Sequence, residues 1–215
     1  MKKIHKTNKS LKILKQDRYF ARLIIKHGVP DMAVRKNPFQ ALVRSIIHQQ
    51  LSGKAAETIY TRFLSLFGNK KKFPTPKEVS ALPVELLRSS GLSAQKAGSL
   101  RDLAEKFSDG TIRHCAIKKM KNEEIIRHLT RVKGIGEWTA HMFLISTMNR
   151  PDILPTGDLG IRKGFQIVYG LKALPDKKRM EKLAVPWRAH ASVASWYLWR
   201  AADEDREADA HARKK

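Results

Sequence analysis

The chain is 215 residues long and 42% hydrophobic, enough for a sizeable core in one domain or two closely packed subdomains. Lys and Arg number 43 against 20 Asp and Glu, a formal charge of +23, which points to a polyanionic partner more than to a small substrate. The single cysteine, Cys115, excludes an internal disulfide and a four-cysteine metal or iron–sulfur site, the eight histidines show no metal-ligand spacing, and no apolar run reaches the roughly eighteen residues of a membrane span. No metal site, no required cofactor and no membrane partner are expected. The protein should stay where it is made, in the cytoplasm of a prokaryote beside the nucleoid or in a eukaryotic nucleus.

In chain order, Met1 to Lys15 holds six lysines and no acid, with Lys3, Lys6, Lys9, Lys12 and Lys15 three residues apart. This composition predicts a basic arm over residues 1–15, solvated and disordered at its start or, if helical, with its lysines on one face. Asp17 to His27 reads as a helix on Tyr19, Phe20, Leu23 and Ile24, ended by Gly28-Val29-Pro30. Pro38 opens the next, with Phe39, Leu42, Val43, Ile46 and Ile47, which stops at HQQLSGK; another runs from about Ala55 to Phe67. Pro74, Pro76 and Pro83 mark turns around short helices, and Ala94 to Phe107 is helical. Ile126, Leu129 and Val132 recur at helical spacing, Gly134-Ile135-Gly136 interrupts, and Trp138, Phe143, Leu144 and Ile145 resume an apolar face, so two short helices meet in a tight hairpin. Leu159 to Tyr169 follows, then a Lys- and Pro-rich loop, a last helix from about Trp187 to Ala202, and DEDREADAHARKK as a solvated helix end or disordered tail over 203–215. Alternating strand patterns are absent, which predicts an all-α fold.

Glycines flanking Ile135 let the backbone turn tightly and approach another molecule, while amides at the start of the second helix point outward as anion ligands. A phosphate suits that place, although the same glycines also serve an ordinary capped αα-hairpin. Asp158, the only carboxylate in PTGDLGIRKG, stands at or just before a helix start, where Asp is a favoured N-cap. The positive end of that helix, with Arg162 and Lys163 close in sequence, favours an anion there for chemistry as well.

The order of motifs adds a resemblance. GIGEWTAHMFL followed by PTGDLGIRKG resembles the signature of the helix-hairpin-helix DNA glycosylase superfamily. HQQLSGKAAETIYTRF, FPTP, GLSAQKAGSLRDLA and VPWRAHASVASWYLW are similar, in that order, to landmarks of its 3-methyladenine DNA glycosylase II branch, over roughly Phe39 to Trp199. The resemblance implies a two-lobed helical fold with the active site in a cleft between lobes. Residues 38–154 would form one lobe with the hairpin, and 16–37 with 155–202 the other.

It also implies roles. Asp158 would be the catalytic carboxylate, a fixed anion that stabilises positive charge on the sugar and helps guide the attacking water. Trp138, Met142 and Trp196 would line the pocket for an extruded base, with Met142 standing where many relatives carry an aromatic. Gln50, Leu51 and Ser52 would form the loop entering the minor groove, Leu51 filling the vacated gap, though a helix-terminal leucine can equally pack inward. Lys133, Gly134, Ile135, Gly136 and Thr139 would hold the backbone, and a monovalent cation on the hairpin carbonyls stays open. Strand-cutting relatives carry a lysine nucleophile where this chain has Trp138, so base release by water is expected, leaving an abasic site. The partner would be double-stranded DNA with damaged bases, bound by a monomer. Two alternatives remain: a non-enzymatic DNA-binding module, or a glycosylase for an oxidised or deaminated base.

Overall fold

The computed structural model describes residues 2–32, 35, 37–68, 72–112, 114–117 and 119–212, with backbone alone for 2–7, 114 and 115. The described residues form helices and turns, with no strand among them. Contacts divide the chain into two compact units, Met1–Ala33 with Asn149–Lys215 and Val34–Met148.

The first unit contains α1 (Lys2–Leu14), α2 (Arg18–His27), α11 (Leu159–Tyr169), α12 (Lys177–Ala184), a 3₁₀ turn (Val185–His190) and α13 (Ala191–Ala212). Its core is built on Phe20, Ile161, Phe165, Met180, Trp187, Tyr197 and Leu198, all buried. Burying each such large side chain contributes about 1.5–3 kcal/mol before conformational entropy is counted. Asp17 caps α2 by accepting from the Tyr19 amide at 2.9 Å, and its other oxygen accepts from Tyr169 Oη at 3.2 Å. Trp187 Nε1 donates in turn to Tyr169 Oη at 3.1 Å, so one polar chain ties the starts and ends of three elements inside an aromatic cluster. Burial there raises the Tyr169 pKa, keeping the phenol a neutral donor.

Here two open alternatives are decided, the helical form of the N-terminal arm and of the charged tail, and two expectations change. The N-terminal arm is a helix whose Leu11 and Leu14 are part of the core and whose Ser10 hydroxyl meets His190 Nδ1 at 2.9 Å, while Lys9, Lys12 and Lys15 stay exposed. The Lys- and Pro-rich stretch before Trp187 contains α12, capped by Asp176 and anchored by Met180 and Ala184. The last helix starts at Ala191, with Trp187 in the preceding 3₁₀ turn, and it runs on through much of the expected charged tail to Ala212. Residues 213–215 lie outside the described ones.

The second unit holds α3 (Pro38–His48), α4 (Gly53–Ser65), α5 (Pro76–Ala81), α6 (Val84–Ser89), α7 (Ala94–Ser108), α8 (His114–Ile117), α9 (Asn122–Leu129) and α10 (Glu137–Ser146). The helix starts follow their caps: Asn37, Ser52, Thr75 and Ser93 each accept a first-turn amide of the helix that follows. Leu42, Ile46, Phe63, Leu87, Leu100, Leu103, Ile125 and Leu144 are fully buried, and α7 packs on α3, α5 and α6. The unit boundaries after Ala33 and Met148 fall a few residues before the lobe boundaries read from the sequence.

Candidate active site and DNA-contacting loops

Asp158 has the extended backbone of an N-cap (φ −78°, ψ 125°) at the start of α11. Its Oδ1 accepts two hydrogen bonds, from the Ile161 amide at 2.8 Å and from Trp199 Nε1 at 3.0 Å. The second donor comes from α13, and two glycines let α13 come so close. A Cβ on Gly164 would overlap the Leu198 carbonyl, and one on Gly160 would sit 3.0 Å from Trp199 Cδ1 and 3.1 Å from Asp158 Oδ1. Glycine at this i, i+4 pair therefore brings the two helices together and lays the indole across the first turn of α11. Charge-assisted hydrogen bonds of this kind fix a carboxylate more firmly than neutral ones. Arg162 and Lys163, expected to favour the anion, have partners of their own: Arg162 Nε donates to Pro175 O at 3.1 Å and Lys163 Nζ lies 3.4 Å from Asp205.

Trp196, three residues earlier on α13, is partly buried against the core, edge-on to Tyr197 with centroids 5.0 Å apart. The Arg200 guanidinium lies over its ring at 5.3 Å. One face of this ring is thus already covered by a cation. Trp138 and Met142 stand one turn apart on α10, sharing a face; Trp138 is 48% exposed and Met142 half-buried. An indole that open to solvent on a short helix is not packed as core.

The hairpin between α9 and α10 exposes Lys133, Gly134 and Gly136 and turns Ile135 inward. Gly134 has φ +77°, and a Cβ there would drive into Ser99 Oγ, so glycine is required for both conformation and space. Gly136 is the N-cap of α10, and no side chain caps that helix start. Backbone N–H groups at an uncapped start are the donors a phosphate takes. Thr139, expected at the DNA surface, is instead buried, its Oγ1 3.4 Å from Gln49 Nε2, so its place in the first turn of α10 faces the end of α3 rather than solvent.

Past the end of α3 the chain turns through Gln49 and Gln50, and Gln50 takes φ +54°, uncommon without glycine. This puts Leu51 out at 39% exposure, immediately before Ser52, whose Oγ caps α4. A residue held in the left-handed region costs about 1–3 kcal/mol and tends to occur where function needs the chain.

Residues 43–189 match the HhH-GPD superfamily of base excision DNA repair proteins. The chain belongs to this superfamily. It is 39% identical over 170 residues to DNA-3-methyladenine glycosylase 1 of Schizosaccharomyces pombe, covering 77% of this chain and 73% of that protein. DNA-3-methyladenine glycosylase 2 of Escherichia coli is 26% identical over 166 residues, 74% of this chain and 57% of that one. Among solved structures, the Schizosaccharomyces pombe 3-methyladenine DNA glycosylase in complex with abasic DNA superimposes with a TM-score of 0.77 at 36% identity, covering 89% and 95% of the two chains. A DNA-3-methyladenine glycosidase from Bacillus halodurans gives 0.81 at 34% identity, covering 91% and 89%. In this HhH-GPD protein the sequence reading missed Trp199 altogether. Its only signal was a second tryptophan three residues after Trp196, which helical spacing places on the same side of the helix.

Proposed function

We propose that the protein is a monofunctional DNA glycosylase of the 3-methyladenine type, acting as a monomer on duplex DNA. It would extrude an alkylated purine, hydrolyse its N-glycosidic bond and leave an abasic site. The observation that carries this reading is Asp158, held by the α11 amide and by Trp199 within a superfamily whose members repair bases. As the bond to the base breaks, positive charge grows on the sugar, and a carboxylate already fixed in place stabilises it without reorganising. The base departs as a neutral molecule with the C1′–N electron pair, water bonds to C1′ through its oxygen, and the proton that water loses passes to solvent. An N-alkylated purine is cationic and leaves readily, so a strong general acid is not needed.

The α9–α10 hairpin would take backbone phosphates, and Leu51 would enter the stack where the base has left. Residues 130–136 outline a concavity with no carboxylate side chain in its lining, so a monovalent cation held there would rest on hairpin backbone carbonyls. No step of the reaction is routed through such an ion. The deciding experiment is release of methylated base from an N-methylated duplex by the purified protein. Release of oxidised or deaminated bases in its place would favour another lesion class, and DNA binding without release of any base would favour a binding module.

Strand cleavage is expected to be absent. The exposed Trp138 offers no amine, and Lys133 precedes the glycines of the turn rather than following them on α10. Product DNA should break only on heating or alkali, and borohydride should trap no adduct. A trapped covalent complex would identify a lysine nucleophile and overturn the monofunctional reading.

A further inference from the structure

One side of α7 supports both loops that the proposed function assigns to DNA. Lys96, Ser99 and Asp102 recur every three residues and so lie along one side of the helix. Lys96 Nζ donates to Ile47 O at 2.8 Å and to Gln49 O at 2.7 Å. These carbonyls stand at the end of α3, where no glycine follows to close the helix with a left-handed cap. Burial lowers the pKa of Lys96, in keeping with an ammonium that has exchanged water for these two oxygens.

Farther along the same side, Asp102 Oδ2 accepts the Lys133 amide at 2.9 Å, just before the hairpin turn. Burial alone would raise the pKa of Asp102, but hydrogen bonds from Lys106 and from the Lys133 backbone prevail and hold it below the usual range. Ser99 fills the space that a side chain at Gly134 would need. Gln49 closes the frame: its Nε2 donates to Gly134 O at 2.9 Å, joining the loop directly to the hairpin. The strained step at Gln50 and the exposed Leu51 follow at once.

We propose that Lys96 is a positioning residue for base extrusion, and that it acts by fixing the Gln49–Ser52 loop at a set offset from the phosphate-gripping hairpin. This rests on the glycosylase reading above. With the offset fixed, gripping the backbone delivers Leu51 to the stack without a separate closing step. Loosen the loop and the grip persists while the wedge is misplaced, and a misplacement of about 1 Å can cost up to about a hundredfold in rate.

The test is single-turnover excision of a methylated purine placed in a well-paired duplex, opposite a mismatch and in a single strand. Lys96→Met should lose roughly ten- to a hundredfold on the paired duplex, little on the single strand, and nothing in affinity for undamaged DNA. Lys96→Arg, which can still donate to two carbonyls, should restore much of the loss. Leu51→Ala should show the same order of substrates, and adding Lys96→Met to it should cost much less than the product of the single effects. Equal losses on all three substrates, or fully multiplicative effects, would overturn the proposal. If Lys96→Met fails to fold, Gln49→Ala decides, because it cuts the link to the hairpin and leaves the Lys96 bonds in place; the same substrate order supports the frame and an unselective loss removes it. Wild-type protein that releases no base would overturn the glycosylase reading and this inference together. Active wild type with an indifferent Lys96→Met would overturn this inference alone.

Discussion

Asp158→Asn is expected to keep the fold and the affinity for DNA while losing base release by about two to three orders of magnitude or more, the scale of removing a transition-state electrostatic partner. Asparagine is as good an N-cap as aspartate. Its side-chain oxygen can still accept from the Ile161 amide and from Trp199 Nε1, the two bonds that hold Oδ1 in place. What disappears is the charge. The substitution therefore separates the capping role from the chemical one, which Asp158→Ala cannot do, since losing a cap costs about 1 kcal/mol of stability by itself. Thermal melting should superimpose for wild type and Asp158→Asn, and single-turnover release from an N-methylated duplex should differ by the factor given. An Asn variant with full activity would leave Asp158 as a helix cap only.

Much of this arrangement was legible in the chain. Helices α2, α3, α4, α7 and α11 announce themselves through apolar residues at helical spacing behind Asp17, Asn37, Ser52, Ser93 and Asp158, and each of those residues is a cap in the structure. The parts that were not legible share a cause. Helix α12 buries only Met180 and Ala184 among its eight residues, so its basic surface hides the period. In α1 the lysines similarly mask Leu11 and Leu14, whose burial depends on a core assembled from distant segments. The side chains around the two loops were hidden for a deeper reason. That Trp199 reaches Asp158 follows from how closely Gly164 lets α11 approach Leu198, and that Lys96 reaches Gln49 O follows from how α7 packs on α3. Neither distance has a sequence period. Thr139 shows the converse: its position in the motif suggested DNA, but it is buried with its hydroxyl toward Gln49.

The two hairpin glycines should fail in different ways when replaced. Gly136 has φ −91°, open to any residue, and a Cβ there meets no atom within 4 Å. Gly136→Val should therefore fold, at a cost of about 1 kcal/mol because valine caps a helix less well than glycine, yet its side chain would occupy the space in front of the α10 amides. Losing a hydrogen bond to a charged phosphate removes about 1.5–3 kcal/mol, which is roughly ten- to a hundredfold in affinity, on damaged and undamaged DNA alike. Gly134 differs on both counts, since its φ is +77° and a Cβ would strike Ser99. Gly134→Val should lower the melting temperature as well as binding, because the hairpin itself must deform. Salt dependence then separates amide contacts from ionic ones. Blocking neutral amides at Gly136 should lower affinity at every salt concentration and leave the slope of log K against log salt unchanged. Lys133→Met should make that slope shallower by about 0.9, one phosphate's worth of released counterion. If Gly136→Val binds as wild type does and Lys133→Met leaves the slope alone, the phosphate grip lies elsewhere on this strongly basic surface and the hairpin is only a turn.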